Sequence, residues 1–576
     1  MHHPAIQISD DKRRSLVEVA TGRKPAGIVF RNLKLVNVYS GEVLEREVGV
    51  SNGRIAAVNS CLDFMVGEDT EIVDAKGKFL VPGLLDAHVH IESSMLTPAR
   101  FAEASLEHGI TGVFYDPHEI ANVLGLQGVA WMAEDLERTP LNGFLTVPSC
   151  VPATSEKFET SGARLGPEET NRALKWDRTV ALGEMMNYPG VLSIEEDVWK
   201  KVRRARELGK IVEGHASGLT GEELCGYRAA GIGSDHEAVK KKEGMERIRR
   251  GFWTYIREGS AWPDLKEVIK AITEENLDAD HVCLVTDDRD PGDLLYQGGV
   301  DHVVNRAVQE GVAPLNAIKM ATLNTAKRFG LDEHIGSITP GRRADFFFTS
   351  DLEPMKAEKT FIGGRDVSRI SWDDSSLGSV TGTIKVKNDS VSPGSFRQRG
   401  KEKKYGIDLS GEGIVTKLVE LSGDKDEKDF IDLAVVERHK RTGNVSRTYL
   451  KGFGLNSGAV ASSVAHDSHN IVVAGCDRND MAESVRRLIQ IGGGQVLIEN
   501  EKVIAEVELP VAGLMSPVTP EKLARDVKEL RKALRERGCR LRQPLMTLSS
   551  LALPVIPEAR LTDKGLMDVR KFELIT

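Results

Sequence analysis

From Gly27 to Leu80 apolar and polar positions alternate in short runs, IVFRNLKLVNV, EREVGVSNGRIAAV and TEIVDAKGKFLVPG, divided by turn signals such as Ser51-Asn52-Gly53. A period of two predicts half-buried strands, and the turns predict antiparallel hairpins. A short polar helix is predicted before them, over Asp11 to Thr21. Between about residues 84 and 331 the pattern changes. Strand-like runs (TGVFYDP, GFLTVPS, TVALGEM, KIVEGHA, IGSDHE, HVCLVTDD) now alternate with helical stretches such as EEDVWKKVRRARELG. Strands alternating with helices imply a parallel sheet, and about 250 residues of it is the size of a (β/α)8 barrel.

Beyond the barrel, GSITPGRRADFFFTSDL and KTFIGGRDV return to short strands. They are expected to pair with the N-terminal strands, giving a small β domain split in sequence by the barrel. The expected α/β organisation is thus 1–82 and 335–388 for the split β domain and 83–334 for the barrel. A Ser/Gly/Lys-rich linker over 389–404 then leads into a C-terminal α/β domain over 405–576. In that last segment, strands are predicted near Ile431–Val436 and Asn470–Ala474, and helices near Asp480–Gln490 and Glu521–Gly538. Gly492-Gly493-Gly494 follows no strand and lacks a GxGxxG form, so it reads as a helix-to-strand turn.

Composition narrows the function. At 576 residues the chain exceeds the growth of one core, and 40% apolar with 28% charged residues is ordinary for a globular protein. A net charge of −9 argues against a general nucleic-acid surface, and Lys240-Lys241-Lys242 and Arg249-Arg250 read as solvated helix faces. Six scattered cysteines form no CxxC pair, which excludes a disulfide framework, a Cys-rich zinc module and the PCxxC signature of nucleic-acid deaminases. The N-terminal stretch has no apolar core and no run reaches membrane-spanning length, so a cytoplasmic protein is expected. His2 and His3 are assigned no role.

The chemistry gathers where predicted barrel strands end. VPGLLDAHVHIESSM delivers His88 and His90 with one residue between, and alternate residues of a strand point the same way. A bare HxH is often a chance surface pair. Here other strand ends carry Asp116, His118 and Glu119, then Glu184, His215, Ser234-Asp235-His236-Glu237, and Asp287-Asp288. Any one of these could be structural. Six strand ends all finishing in metal-type ligands point to the catalytic face of a barrel.

The strings PGLLDAHVHIESSM, FYDPHEIANVLG, ALGEMMNYPGV, EGHASGLTG, GSDHE, VTDDR and GFGLNSGAVASSVAHDSHNIVVAG together closely resemble the amidohydrolase superfamily and, more narrowly, the bacterial and archaeal adenine deaminases. The resemblance spans nearly the whole chain; HVH and PG are shared widely, whereas ESSM, DPHEIANV and EMMN are more specific. It implies that His88 and His90 hold one metal, His215 and His236 a second, that Glu184 bridges them, and that Asp287 binds beside the reactive water. Glu184 stands where hydantoinases and dihydroorotases commonly place a carboxylated lysine, which favours deamination over cyclic-amide hydrolysis. The implied reaction turns adenine and water into hypoxanthine and ammonia in purine salvage. Two divalent ions per subunit are implied, with Mn²⁺ or Fe²⁺ favoured and Zn²⁺ also compatible with the donors.

Asp287 is expected to move the proton of the attacking water, and Glu237 to protonate the purine ring as a neutral carboxyl kept so by a dry pocket. Glu92, Ser93, His118 and Glu119 are weaker candidates for substrate contact. For Glu92 and Ser93 a helix cap with an acidic first turn competes. Asp86 is expected to orient a ligand histidine or the strand end. His466 and His469 form an HxxH that binds a further metal, reaches into the barrel mouth, or is a hydrogen-bonded loop pair. Expected partners are adenine and further copies of the chain, as a homodimer or higher homo-oligomer, with no nucleic acid and no membrane. Two other readings compete: an amidohydrolase acting on another amino-heterocycle or cyclic amide, and a non-catalytic scaffold barrel.

Overall fold

The computed structural model describes residues 6–372, 380–397, 404–409, 415–421 and 430–575. His2, His3 and part of the expected linker, 398–403, lie outside the described residues.

Eight parallel strands form the centre: β1 Leu84–Val89, β2 Ile110–Tyr115, β3 Asn142–Val147, β4 Thr179–Met185, β5 Ile211–Gly214, β6 Ser234–Asp235, β7 Trp253–Arg257 and β8 Val282–Val285. β1 to β5 pair in order, as do β6 to β8. Hydrogen bonds close both seams. Gly233 N–H donates to Val212 O at 3.0 Å, and Asp287 N–H to His88 O and His90 N–H to Asp287 O each at 3.1 Å. Every residue of β1, β2 and β4 is buried, because helices cover the outside while side chains fill the inside. That explains why these strands read as continuous apolar runs rather than alternations. Inside, the Phe114 ring stacks on Phe144 at 4.6 Å and on Phe329 at 3.7 Å, a plug of apolar volume below the strand ends.

The N-terminal helix runs over Asp10–Ala20. Five strands between Ile28 and Pro82 join Phe346–Thr349, Lys359–Ile362 and Arg365–Asp366 in one sheet, with Phe346 opposite Pro82. Phe30 meets Phe346 and Phe361 edge-on at 5.0 and 5.1 Å, so the two sequence-distant parts share one core.

The C-terminal part contains an eight-stranded sheet, including Phe430–Val436 and Ile471–Gly475, with helices Arg478–Ile491 and Pro520–Glu536. It is attached directly to the segment after β1. Ser516 N–H donates to Met95 O at 2.8 Å and Thr97 N–H to Ser516 O at 3.2 Å, while Arg100 Nε donates to Pro517 O at 3.1 Å. A second tether joins Asp563 to the N–H and hydroxyl of Thr160, at 2.8 and 2.7 Å. No helix among the described residues is long and apolar enough to cross a membrane.

Candidate active site

The barrel brings His88, His90, Glu184, His215, His236 and Asp287 together at its C-terminal strand ends. His90 Nε2 lies 3.3 Å from both Glu184 Oε1 and Asp287 Oδ1, and His88 Nε2 lies 3.5 Å from that Asp287 oxygen. On the other side, His215 Nδ1 and His236 Nε2 lie 2.7 and 3.3 Å from Glu184 Oε2. The two oxygens of Glu184 therefore face two separate histidine pairs. Donor atoms bound to one ion at about 2.0–2.2 Å stand roughly 3–3.5 Å apart, so these spacings fit two ions sharing one carboxylate.

Neighbouring groups support that fit. His90 Nδ1 lies 3.0 Å from the carbonyl of Asp116, which takes the ring proton and leaves Nε2 as the lone-pair nitrogen. His88 Nε2 is buried and has no hydrogen-bond partner among the described residues, a costly state unless an ion uses it. Asp116 Oδ2 accepts from the Glu184 N–H at 2.9 Å. Gly183 permits that contact, since a Cβ there would stand 2.1 Å from Asp116 Oδ2. Asp86 Oδ1 accepts from His88 N–H and Thr286 N–H, each at 3.3 Å, and so ties β1 to β8 under the site.

The expectation of a neutral Glu237 is not met. Burial pushes its carboxyl up, but the charges of Arg257, His215 and His236 outweigh burial and hold it at about 2. Arg257 Nη1 donates to both Glu237 and Asp287 Oδ2, the latter at 2.9 Å. Burial likewise pushes Asp287 up, yet the nearby imidazoles of His88 and His90 and the charge of Arg257 hold it well below the ordinary carboxylate range. Arg257 was missed by the sequence reading. Its available signal was a lone cation closing WTYIR, a barrel strand end without a metal-type ligand beside ends rich in carboxylates.

The weaker candidates separate into two groups. His118 and Glu119 border the central cavity, His118 with Nδ1 3.4 Å from Glu184 Oε1. Glu92 and Ser93 stand behind it, in a short 3₁₀ turn over Ile91–Ser94 rather than in an α-helical first turn. Glu92 Oε1 accepts from Ile120 N–H at 3.2 Å and Ser93 Oγ donates to Asp288, so both hold the framework instead of facing the cavity.

His466 and His469 do reach the barrel mouth. His466 Nδ1 lies 2.5 Å from Glu119 Oε1, and His469 Nε2 contacts Glu119 Oε2. These three could hold an ion by proximity alone. However, His469 Nδ1 accepts from Ala465 N–H at 3.1 Å, so its proton sits on Nε2, which donates to Glu119 and has no lone pair for a metal. Of the expectations for this pair, the structure favours a hydrogen-bonded reach into the mouth over a further metal site.

Comparison with known proteins places the chain in a family. Residues 79–367 match the amidohydrolase family, and residues 414–573 match the adenine deaminase C-terminal domain. Proteins named adenine deaminase from Clostridium botulinum (strain ATCC 19397 / Type A) and Moorella thermoacetica are 42% and 41% identical, each covering 98% of this chain and 97% of their own. One from Archaeoglobus fulgidus is 41% identical, with 98% of both chains covered. The chain belongs to the adenine deaminase family of amidohydrolases. As a member of the adenine deaminase family it is a metal-dependent hydrolase acting on C–N bonds. A beta-aspartyl dipeptidase from Fervidobacterium islandicum AW-1 has 17% identity to it and a TM-score of 0.46, covering 60% of this chain and 96% of that one.

Proposed function

We propose that the protein hydrolyses adenine to hypoxanthine and ammonia; its relatives carry the name adenine deaminase. The observation that carries the reading is the shared carboxylate of Glu184, set between His90 on one oxygen and His215 and His236 on the other. Two divalent ions bound there, manganese or iron, would lower the pKa of a water between them and make it nucleophilic near neutral pH.

The chain's own residues then manage two protons. Glu237, ionised beside Arg257, is ready to accept one as water attacks C6 of the base, and returns it to the adjacent ring nitrogen N1. Asp287 takes the second from the oxygen now attached to C6 and passes it to the amino group. The C6–N bond breaks, ammonia departs with that proton, and the carbonyl of hypoxanthine forms. Apolar side chains from the C-terminal part, Met546, Leu553, Val555 and Ile556, border the cavity and exclude bulk water from these transfers. The same reading takes two ions per chain and a cytoplasmic homodimer or higher homo-oligomer acting in purine salvage.

Metal-reconstituted protein assayed on a panel of purines, pyrimidines and cyclic amides tests this. Adenine turnover is expected, with an ultraviolet shift and stoichiometric ammonia. Turnover of a different heterocycle without turnover of adenine would overturn it.

A further inference from the structure

Two residues that border the cavity from the C-terminal part, His466 and Asp467, each carry a polar atom that the deamination steps leave unused. His466 Nε2 and Asp467 Oδ2 are buried, both residues border the cavity, and neither atom has a hydrogen-bond partner among the described residues. Each residue is more than nine-tenths buried, with 7% and 2% of its surface exposed. A buried donor or acceptor without a partner is costly, and a ligand that supplies both partners would account for an adjacent pair of them.

Their position sets the size of that ligand. The ring of His118 bridges from Glu184 Oε1, 3.4 Å from Nδ1, to Asp467 Oδ1, 3.9 Å from Nε2. Asp467 therefore stands one imidazole width from the shared carboxylate, the scale of a purine laid with C6 at the metal ligands. The edge of adenine opposite C6 presents an acceptor, N3, beside a donor, N9–H. His466 turns Nδ1 to Glu119, whose charge overcomes burial and holds the imidazole at about 9, so Nε2 also carries a proton. Donor and acceptor on the protein thus match acceptor and donor on the base.

We infer that His466 and Asp467 are the specificity pair for the free base: His466 donates to N3 and Asp467 accepts from N9–H. This rests on adenine being the substrate. It gives the C-terminal part a direct role in recognition and makes an N9 substituent, such as the sugar of a nucleoside, a clash with a carboxylate that has lost its donor.

The test uses the metal-loaded full chain and compares adenine, 3-deazaadenine and 9-methyladenine by kcat/KM and by competitive inhibition. The wild type is expected to prefer adenine over each analogue by about a hundredfold, because a site built to hydrogen-bond discriminates strongly against loss of the partner. His466→Ala should lower kcat/KM for adenine at least tenfold while leaving that for 3-deazaadenine nearly unchanged. Asp467→Ala should do the same for adenine against 9-methyladenine, and Asp467→Asn, which keeps an acceptor oxygen, should recover part of the loss. Equal losses on adenine and its analogues, with two metals per chain retained, would overturn the assignment. So would a wild type that binds all three alike, a result needing no variant to fold. Absence of adenine turnover in the wild type would instead overturn the substrate reading, and this pair's role with it.

Discussion

Arg257 donates to Asp287 Oδ2 at 2.9 Å while the other oxygen of that carboxylate, Oδ1, faces His88 and His90. One guanidinium thus holds the outward side of a group whose inward side faces two histidines, and it holds Glu237 as well. Both carboxyls are depressed with Arg257 present, so removing it raises both. Arg257→Met should move the acid limb of the kcat/KM profile to higher pH and lower kcat at least about tenfold. An acid limb that stays in place in the variant would show that neither carboxyl depends on this cation.

Glu184→Gln removes the shared charge between the two histidine pairs. Metal content measured after reconstitution should fall from two ions per chain to one or fewer, with activity lower by about a hundredfold or more. Two ions retained with normal turnover would dismiss the bridging assignment.

Chelation should lower the melting temperature, since ions that bind the folded chain stabilise it by mass action, about 2.7 kcal/mol at a hundredfold excess over Kd. Returning manganese, iron or zinc should restore it. An unchanged melting temperature with metal removed would favour a scaffold over an enzyme.

The Glu119–His466 contact gives stability a defined pH window. Burial pulls the His466 imidazole down, but Glu119 outweighs it and holds it at about 9, so its contribution is complete below about 6.5 and is lost as pH rises through about 9. Burial pushes Glu119 up, but His466, His469 and His118 hold it well below its ordinary value, so its contribution is present above about 4.3 and is lost in acid. Glu119→Gln should cost about 3 kcal/mol near pH 6 and flatten the decline in melting temperature between about pH 6.5 and 9. A decline of the same slope in the variant would rule the contact out as its source.

Gly183→Ala places a methyl 2.1 Å from Asp116 Oδ2 and 2.9 Å from Val147 O. The expected result is a loss of about 1–3 kcal/mol in stability, from overpacking, together with a fall in kcat as Asp116 and Glu184 shift. Denaturant melts and steady-state assays on the same preparation separate the two effects.

The barrel and the gathering of these polar residues were legible because each strand end carries its chemistry locally: HVH after β1, GEM at β4, GHA after β5 and SDHE at β6. The bridging role proposed for Glu184 came from the family string in which it stands, and the structure sets its two oxygens toward different histidines. What the sequence concealed were properties created by distant neighbours. The charge state of Glu237 depends on Arg257, 20 residues away, and burial alone suggested the opposite sign. Glu92 and Ser93 adjoin the HVH pair in sequence, yet the turn over Ile91–Ser94 carries them behind the site. His466 and Glu119 meet across 347 residues, a distance at which spacing holds no information.

The strand-like contact between Leu96 and Ser516 joins the segment just after His88 and His90 to the C-terminal part through main-chain atoms. Backbone pairing is indifferent to side-chain identity but strict about register, so the surfaces on either side are free to diverge while their alignment is not. A hybrid carrying the barrel of one relative and the C-terminal part of another would therefore succeed or fail on loop length around residues 95–97 and 515–517 more than on overall identity. An insertion on either side of that pairing would move one wall of the cavity relative to the strand ends it covers.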